Sequence, residues 1–274
     1  MKVKNLITIL FLFIVSCGCM AQTITKDDWL KTINGHAIRK AGSKNDFMNA
    51  PAGPALYFSQ AGNTRVPYLV YVPKMYNPKE PSTVVVFLHG AILARDSFQY
   101  KEPSIAYEPI FSMADEFNIL VVFPFARADF AWGRNEQANE NIISITEQVE
   151  QLYHVNKKKV YIGGISMGGN ATYWFVKNKA GIFAGFYAFS SLPGDVAFNN
   201  ITETKPLYTM NAKDDQTFSY GEVEGIYNRN KLKVPGWHFT GVASGGHRFI
   251  YGDKGKQHMQ GLLSELLDIR IIER

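Results

Sequence analysis

The sequence predicts an α/β domain in which a mostly parallel central sheet of about eight strands carries helices on both faces. Short β-branched or aromatic runs alternate along the chain with turn residues and with segments of helical spacing. Three of these runs, near residues 84–88, 119–123 and 160–162, are apolar on both faces, which indicates strands buried between two helical layers. With 274 residues, 46% of them apolar, the chain suits one domain with a large core.

The elements are predicted in chain order from these patterns. The strands are expected at 55–60, 66–73, 83–88, 119–125, 159–163, 184–190, 206–211 and 237–243. The helices are expected at 105–117, 138–153, 168–179, 220–229 and 256–268. The first two strands alternate more strongly in polarity and contain Pro67 and Pro73, so we expect them to form an antiparallel hairpin at the sheet edge.

The N-terminus has the pattern of an export signal. Lys2 and Lys4 precede an apolar run over residues 6–15, and small residues follow. A membrane-spanning helix needs about 18 or more consecutive apolar residues, so the run is too short for one. Two cleavage sites stay open: a lipobox ending at Cys17, which would leave that cysteine lipidated, or an ordinary site after Ala21.

The predicted organisation has three parts. Residues 1–21 are the signal, residues 22–54 an N-terminal extension, and residues 55–274 the α/β domain. The extension is polar apart from a few residues around Trp29, and it either caps one end of the sheet or tethers the domain to a membrane. We expect an exported protein, which is periplasmic, secreted or lipid-anchored at the cell surface, with membrane contact only through a lipid on Cys17.

Composition excludes several kinds of function. The formal charge of +5 and the longest basic run, residues 157–159, are too modest to predict a nucleic-acid surface. Both cysteines, Cys17 and Cys19, lie in the signal, so a cysteine nucleophile, a thiolate metal site and a disulfide are not expected in the domain. The six histidines are scattered, and we expect neither a metal nor another cofactor.

The most informative motif is Gly164-x-Ser166-x-Gly168, which lies directly after a buried predicted strand and directly before a predicted helix. This is the pattern of a nucleophile elbow, a turn so sharp that the serine is held in a strained conformation. Small residues at 164 and 168 let the backbone approach its neighbours closely. The sequence therefore predicts Ser166 as a nucleophile.

A serine hydroxyl needs a base, and the base needs an orienting carboxylate. His247 follows the last predicted strand in a Gly-rich loop, where catalytic groups of open α/β sheets lie, whereas His238 and His258 fall inside a strand and a helix. For the carboxylate, Asp214 and Asp215 follow the seventh strand, and Asp195 is a more remote candidate. The unused member of the adjacent pair is expected to cap a helix or form a turn.

The oxyanion formed by such a reaction needs two backbone N–H donors. We expect one from Met167, the residue after the nucleophile, and one from Ala91 in the loop after the third strand. In that loop Gly90 would allow close approach of the substrate, and His89 would shape the turn rather than transfer a proton. The position of this loop agrees with the predicted nucleophile elbow, so both features together favour a hydrolase.

Aromatic residues follow several of the strands that lead to the predicted site. Trp132, Phe218 and Phe249 are the predicted substrate contacts, as a platform for a sugar or an aryl acyl group. Tyr173 and Trp174 are adjacent on the helix after the nucleophile and point different ways, so at least one of them is expected to pack in the core.

These motifs resemble those of extracellular serine esterases of the α/β-hydrolase fold, similar to polyhydroxybutyrate depolymerases, feruloyl esterases and family-one carbohydrate esterases. The resemblance runs from about residue 62 to 265 and rests on 65–76, 86–90, 153–161, 164–169, 212–220 and 246–247. It implies the α/β-hydrolase fold and ester hydrolysis by Ser166 and His247. Alignment of the acid loop favours Asp215 over Asp214.

The resemblance further implies a small-molecule or polysaccharide-linked ester as substrate, with acyl or feruloyl esters on plant polysaccharide as the leading class. Asn211 and Ala212 replace a more usual His-Gly pair, which bears on the substrate more than on the chemistry. A polyester depolymerase, a peptidase of the same fold and a non-catalytic surface carbohydrate-binding protein stay open as alternatives.

Overall fold

The computed structural model describes residues 24–34, 50–194, 198 and 205–269. The predicted export signal, the lipidation site at Cys17 and the third acid candidate, Asp195, lie outside these residues. Within them, no helix is both long enough and apolar enough to cross a membrane.

Eight strands of the described residues form one sheet, in the order β1-β2-β4-β3-β5-β6-β7-β8. Their bounds are β1 Gly53–Ala61, β2 Thr64–Val72, β3 Ser82–Leu88, β4 Leu120–Pro124, β5 Val155–Ile165, β6 Gly185–Phe189, β7 Leu207–Ala212 and β8 Trp237–Val242. β1 and β2 form an antiparallel hairpin, β2 also pairs antiparallel with β4, and the other neighbours are parallel. The predicted mostly parallel sheet with a hairpin at its edge is confirmed.

Helices cover both faces of this sheet. They are α1 Lys26–Asn34, α2 Pro109–Phe117, α3 Glu136–Leu152, α4 Met167–Asn178, α5 Tyr220–Asn230 and α6 Gly255–Leu267, with 3₁₀ turns at Pro103–Tyr107 and Gly246–Tyr251. Apolar residues of α3 and α4 enter the core on one face, where α5 also packs, and those of α1, α2 and α6 enter the core on the other. Strands between two such layers must be apolar on both sides, as β3, β4 and β5 are.

Two helices in the N-terminal half of the chain differ from the prediction. The helix expected over 105–117 begins at Pro109, because proline lacks an N–H and suits the first helical turn, and a separate 3₁₀ turn precedes it. α1 was not predicted, although Thr25 caps it by accepting the Asp28 N–H at 3.2 Å. Trp29 of α1 is buried, and its indole N–H donates to the Tyr100 carbonyl at 2.9 Å, so this part of the extension packs on the domain.

The sheet topology determines where polar side chains meet. β3, β5, β7 and β8 run parallel, so the loops after their carboxyl ends lie at one edge of the sheet. These loops contain Gly90, Ser166, Asp215 and His247 in turn. Such an edge is where open α/β sheets bind ligands.

Candidate active site

Ser166 occupies a strained turn between β5 and α4. Its φ of 53° and ψ of −117° lie in a region that residues with a side chain seldom adopt. A Cβ at Gly164 or at Gly168 would collide with the Leu88 carbonyl of the neighbouring strand, so both positions require glycine. The turn thus holds the Ser166 side chain at the carboxyl edge of the sheet.

The three residues predicted as nucleophile, base and acid are joined by hydrogen bonds. Ser166 Oγ lies 2.9 Å from His247 Nε2, and His247 Nδ1 lies 2.9 Å from Asp215 Oδ2. In the neutral imidazole that a general base requires, Nε2 accepts from the serine hydroxyl and Nδ1–H donates to the carboxylate. His238 instead stacks on Tyr208, and His258 packs against Phe249.

Asp215 is itself held in place by the chain that follows it. Its second oxygen, Oδ1, accepts the N–H groups of Thr217 at 2.7 Å and Phe218 at 3.0 Å. The Asp215 side chain is fully buried, so the carboxylate has little freedom to turn away from the imidazole. Of the two adjacent aspartates, the structure brings Asp215 to His247.

Asp214 lies in the turn that follows β7, as expected of the unused aspartate, and its carboxylate also reaches the loop that carries the histidine. Its carboxylate accepts the backbone N–H groups of Gly245 at 3.1 Å and Gly246 at 2.9 Å, the two residues before His247. These hydrogen bonds, the one from Gly246 foremost, lower the pKa of Asp214. Both glycines have positive φ, of 123° and 61°, so the carboxylate stabilises an unusual loop that carries the histidine.

The predicted oxyanion donors lie beside the nucleophile. Met167 is the first residue of α4, where an N–H has no intrahelical acceptor and the helix dipole is positive. Gly90 faces the nucleophile, since a Cβ there would lie 3.6 Å from Ser166 Cβ. Ala91 follows it and lines both cavities that reach Ser166. Their service as donors stays a prediction.

His89 shapes the loop that carries Ala91. Its Nδ1–H donates to the Gly90 carbonyl at 2.7 Å, and its Nε2 accepts the Ala126 N–H at 3.0 Å. Burial lowers the pKa of His89 to about 4, so the ring is neutral at physiological pH and both nitrogens are occupied. This agrees with a structural rather than a proton-transferring role.

Two cavities meet at Ser166. The first, here the narrow pocket, has a volume of about 380 Å³ and also contains His247. The side chains lining it are largely apolar, and include Ile92, Ile105, Phe123, Phe125 and Ile165. The second, here the wide cleft, has a volume of about 1050 Å³ and also contains Met167. The site can therefore hold a small group on one side and a much larger one on the other.

The narrow pocket contains one carboxyl group that sequence reasoning missed. Glu108 accepts a hydrogen bond from the Tyr251 hydroxyl at 3.2 Å. Burial raises the pKa of Glu108 to about 7, although Tyr251 and the nearby Arg248 partly oppose the rise. No motif marks Glu108, since only the tertiary fold brings the residue before Pro109 to the pocket.

The three aromatic side chains predicted to contact the substrate lie in different surroundings. Phe218 lines the wide cleft, with its ring edge-on to His247 at 5.2 Å between centroids. Trp132 also lines the cleft but is only 1% exposed and packs edge-on against His89, so it forms a wall rather than a platform. Phe249 as a substrate contact is wrong: the 3₁₀ turn at Gly246–Tyr251 directs it into the core, where it is 2% exposed.

The expectation for the helix after the nucleophile is confirmed. Tyr173 is fully buried, whereas its neighbour Trp174 is half-buried and lines the wide cleft.

In the part of the chain that the structure describes, no group of three or more histidine, cysteine, aspartate or glutamate residues could hold a metal ion.

The fold of this chain is similar to that of solved esterase structures. Two solved structures superpose well: a hyperthermophilic esterase from the archaeon Pyrobaculum calidifontis, with a TM-score of 0.65 and 12% identity over 81% of this chain and 88% of that one, and a ferulic acid esterase, with a TM-score of 0.61 and 17% identity over 79% and 97%. The chain has the α/β-hydrolase fold.

A curated protein also matches in sequence. A bifunctional acetylxylan esterase/xylanase of Neocallimastix patriciarum is 26% identical over 159 residues, which are 57% of this chain. The chain spans only 22% of the length of that protein. No family model matches the chain.

Proposed function

We propose that the protein is a serine esterase that hydrolyses carboxylic esters through an acyl-enzyme on Ser166. The observation that carries the proposal is the continuous hydrogen-bonded series from Ser166 through His247 to Asp215, with both links 2.9 Å long. The strained turn at Ser166 adds support, because binding alone gives no reason to hold a serine in that conformation.

The geometry suits the following reaction. His247 Nε2 takes the hydroxyl proton as Ser166 Oγ attacks the ester carbonyl, and Asp215 stabilises the imidazolium that forms. The N–H groups of Met167 and Ala91 hold the negative oxygen. The imidazolium then returns the proton to the leaving alcohol, and water activated by His247 releases the acyl group from Ser166.

The proposed substrate is a polysaccharide-linked ester. A narrow pocket of about 380 Å³ suits an acyl group, and a cleft of about 1050 Å³ suits several sugars on the alcohol side. The names of the similar proteins, acetylxylan esterase and ferulic acid esterase, support this class. Such polymers lie outside the cell, and we propose that the N-terminal signal exports the enzyme, either free or through a lipid on Cys17.

The test is hydrolysis of 4-nitrophenyl acetate and methyl ferulate by the purified protein. We expect turnover by the wild type and a loss of ~10³-fold or more in Ser166→Ala. Ser144→Ala, on α3 and away from the site, is the matched control. Folded wild-type protein without turnover of any ester, or an active Ser166→Ala variant, would refute the proposal and favour a non-catalytic carbohydrate-binding protein.

A further inference from the structure

The charged side chains among the described residues that line the wide cleft are all cationic. Three cationic side chains, those of Arg95, Arg134 and Lys177, line it together with Ser166. Among the described residues that line the cleft, there is no aspartate or glutamate. A concave surface lined by one sign of charge concentrates ligands of the opposite sign.

Among the described residues, these cations lie without a carboxylate partner, unlike other cations of the same region. Arg127 pairs with Asp129 at 2.7 Å, and Lys179 pairs with Glu140 at 2.8 Å. By contrast, the three cations of the cleft are exposed, and among the described residues none has a carboxylate oxygen within 4.0 Å. The carboxylates that the structure describes therefore leave these charges available to a ligand.

The rest of the cleft suits a sugar rather than an apolar chain. Half-buried Trp174 and Phe218 provide aromatic surface on which a sugar ring packs. Asn170 accepts the Leu192 N–H through Oδ1, so its NH₂ group remains for a hydroxyl. Asn178 donates to the Trp174 carbonyl through Nδ2, so its amide oxygen remains as an acceptor. Polar and apolar surface are therefore mixed here, whereas the walls of the narrow pocket are mainly apolar.

We infer that the alcohol part of the substrate is an acidic glycan, whose sugars carry carboxylates that pair with Arg95, Arg134 and Lys177 in the wide cleft. This rests on the proposed esterase activity and adds the charge of the glycan to it. The two arginines bind a carboxylate through paired N–H donors, and the lysine adds a point charge. These residues determine which ester is chosen, and they take no part in bond cleavage.

A matched pair of substrates tests this inference. One is an acetylated oligogalacturonide; the other is the same oligosaccharide with its carboxyl groups reduced to hydroxymethyl groups before acetylation. We expect kcat/KM for the acidic form to be about tenfold higher at low ionic strength, as three exposed charge pairs would give. The preference should largely vanish at about 0.5 M NaCl, because salt screens exposed charges.

Charge-removing variants complete the experiment. The triple variant Arg95→Gln, Arg134→Gln, Lys177→Gln should bring the acidic-to-neutral ratio of kcat/KM close to one. The control triple variant Lys79→Gln, Arg229→Gln, Lys233→Gln removes the same total charge from exposed positions outside the cleft and should retain the ratio. Circular dichroism establishes that each variant is folded.

The outcomes separate this inference from the proposed function. Wild-type turnover of 4-nitrophenyl acetate without a preference for the acidic glycan, or a preference that the cleft variant retains, would overturn the inference alone. A wild type that is folded and hydrolyses no ester would overturn both.

Discussion

Replacing Glu108 with glutamine should stabilise the protein at alkaline pH far more than at acid pH. Glu108 lies in the narrow pocket, where the Tyr251 hydroxyl donates to its carboxyl group. Burial raises the pKa of this carboxyl from its ordinary 4.5 to about 7. Glutamine has nearly the same shape and keeps an acceptor for Tyr251, but it carries no charge at any pH.

The sign and size of the effect follow from proton linkage. Between about pH 4.5 and pH 7 the folded protein keeps a proton on Glu108 that the unfolded chain releases, so this group makes stability fall as pH rises. A rise in pKa from 4.5 to about 7, at about 1.4 kcal/mol per pKa unit, corresponds to at most about 3.5 kcal/mol, and the partial exposure of Glu108 to solvent reduces this to roughly 3 kcal/mol. That stability is fully present below pH 4.5 and is lost as pH rises through about 7.

The assay is urea unfolding of wild type and Glu108→Gln at several pH values from about 4 to 8.5. The free energy of unfolding of the variant minus that of wild type should rise by about 3 kcal/mol across this range. Glu80→Gln, at an exposed glutamate, should show a much smaller change. A difference that is constant with pH, or that falls as pH rises, would refute the argument from burial.

Two further predictions concern the loops that carry the site. Asp214→Ala should lower kcat by about tenfold or more with little change in KM, because the loop that carries His247 loses the carboxylate that holds Gly245 and Gly246. Asp214→Asn keeps one acceptor oxygen and should recover part of the rate in the same steady-state assay. Equal kcat values in the wild type and both variants would contradict a positioning role. Gly168→Ala should reduce both stability and activity, since its Cβ would meet the Leu88 carbonyl; thermal unfolding measures the first effect, and an unchanged melting temperature would exclude the collision.

Sequence reasoning succeeded where a local pattern carries the information. Gly164, Ser166 and Gly168 form a turn whose geometry depends on a few adjacent residues, so the nucleophile was predictable. Whether Asp214 or Asp215 reaches His247 depends on the path of the backbone after β7. The residue pattern alone therefore left both aspartates as candidates. Resemblance to known esterases favoured Asp215, which the structure brings to the histidine.

Features that depend on distant segments were not predictable in the same way. Glu108 and the cations of the wide cleft come from loops and helices whose meeting is visible only in the folded chain. Phe249 was assigned to the substrate because it follows His247, but the intervening 3₁₀ turn rotates it into the core. Proximity in sequence to a reactive residue was a poor guide to exposure in the site.

The energetic costs of this fold are concentrated around its candidate site. Ser166 is held at positive φ, and ionisation of Glu108 destabilises the folded protein. The indole N–H of Trp132, in the wall of the wide cleft, is buried without a hydrogen-bond partner among the described residues. Each feature costs free energy that the packed helical layers on both sheet faces must offset. Because these costs surround the proposed reactive groups, substitutions that relieve them should trade activity for stability.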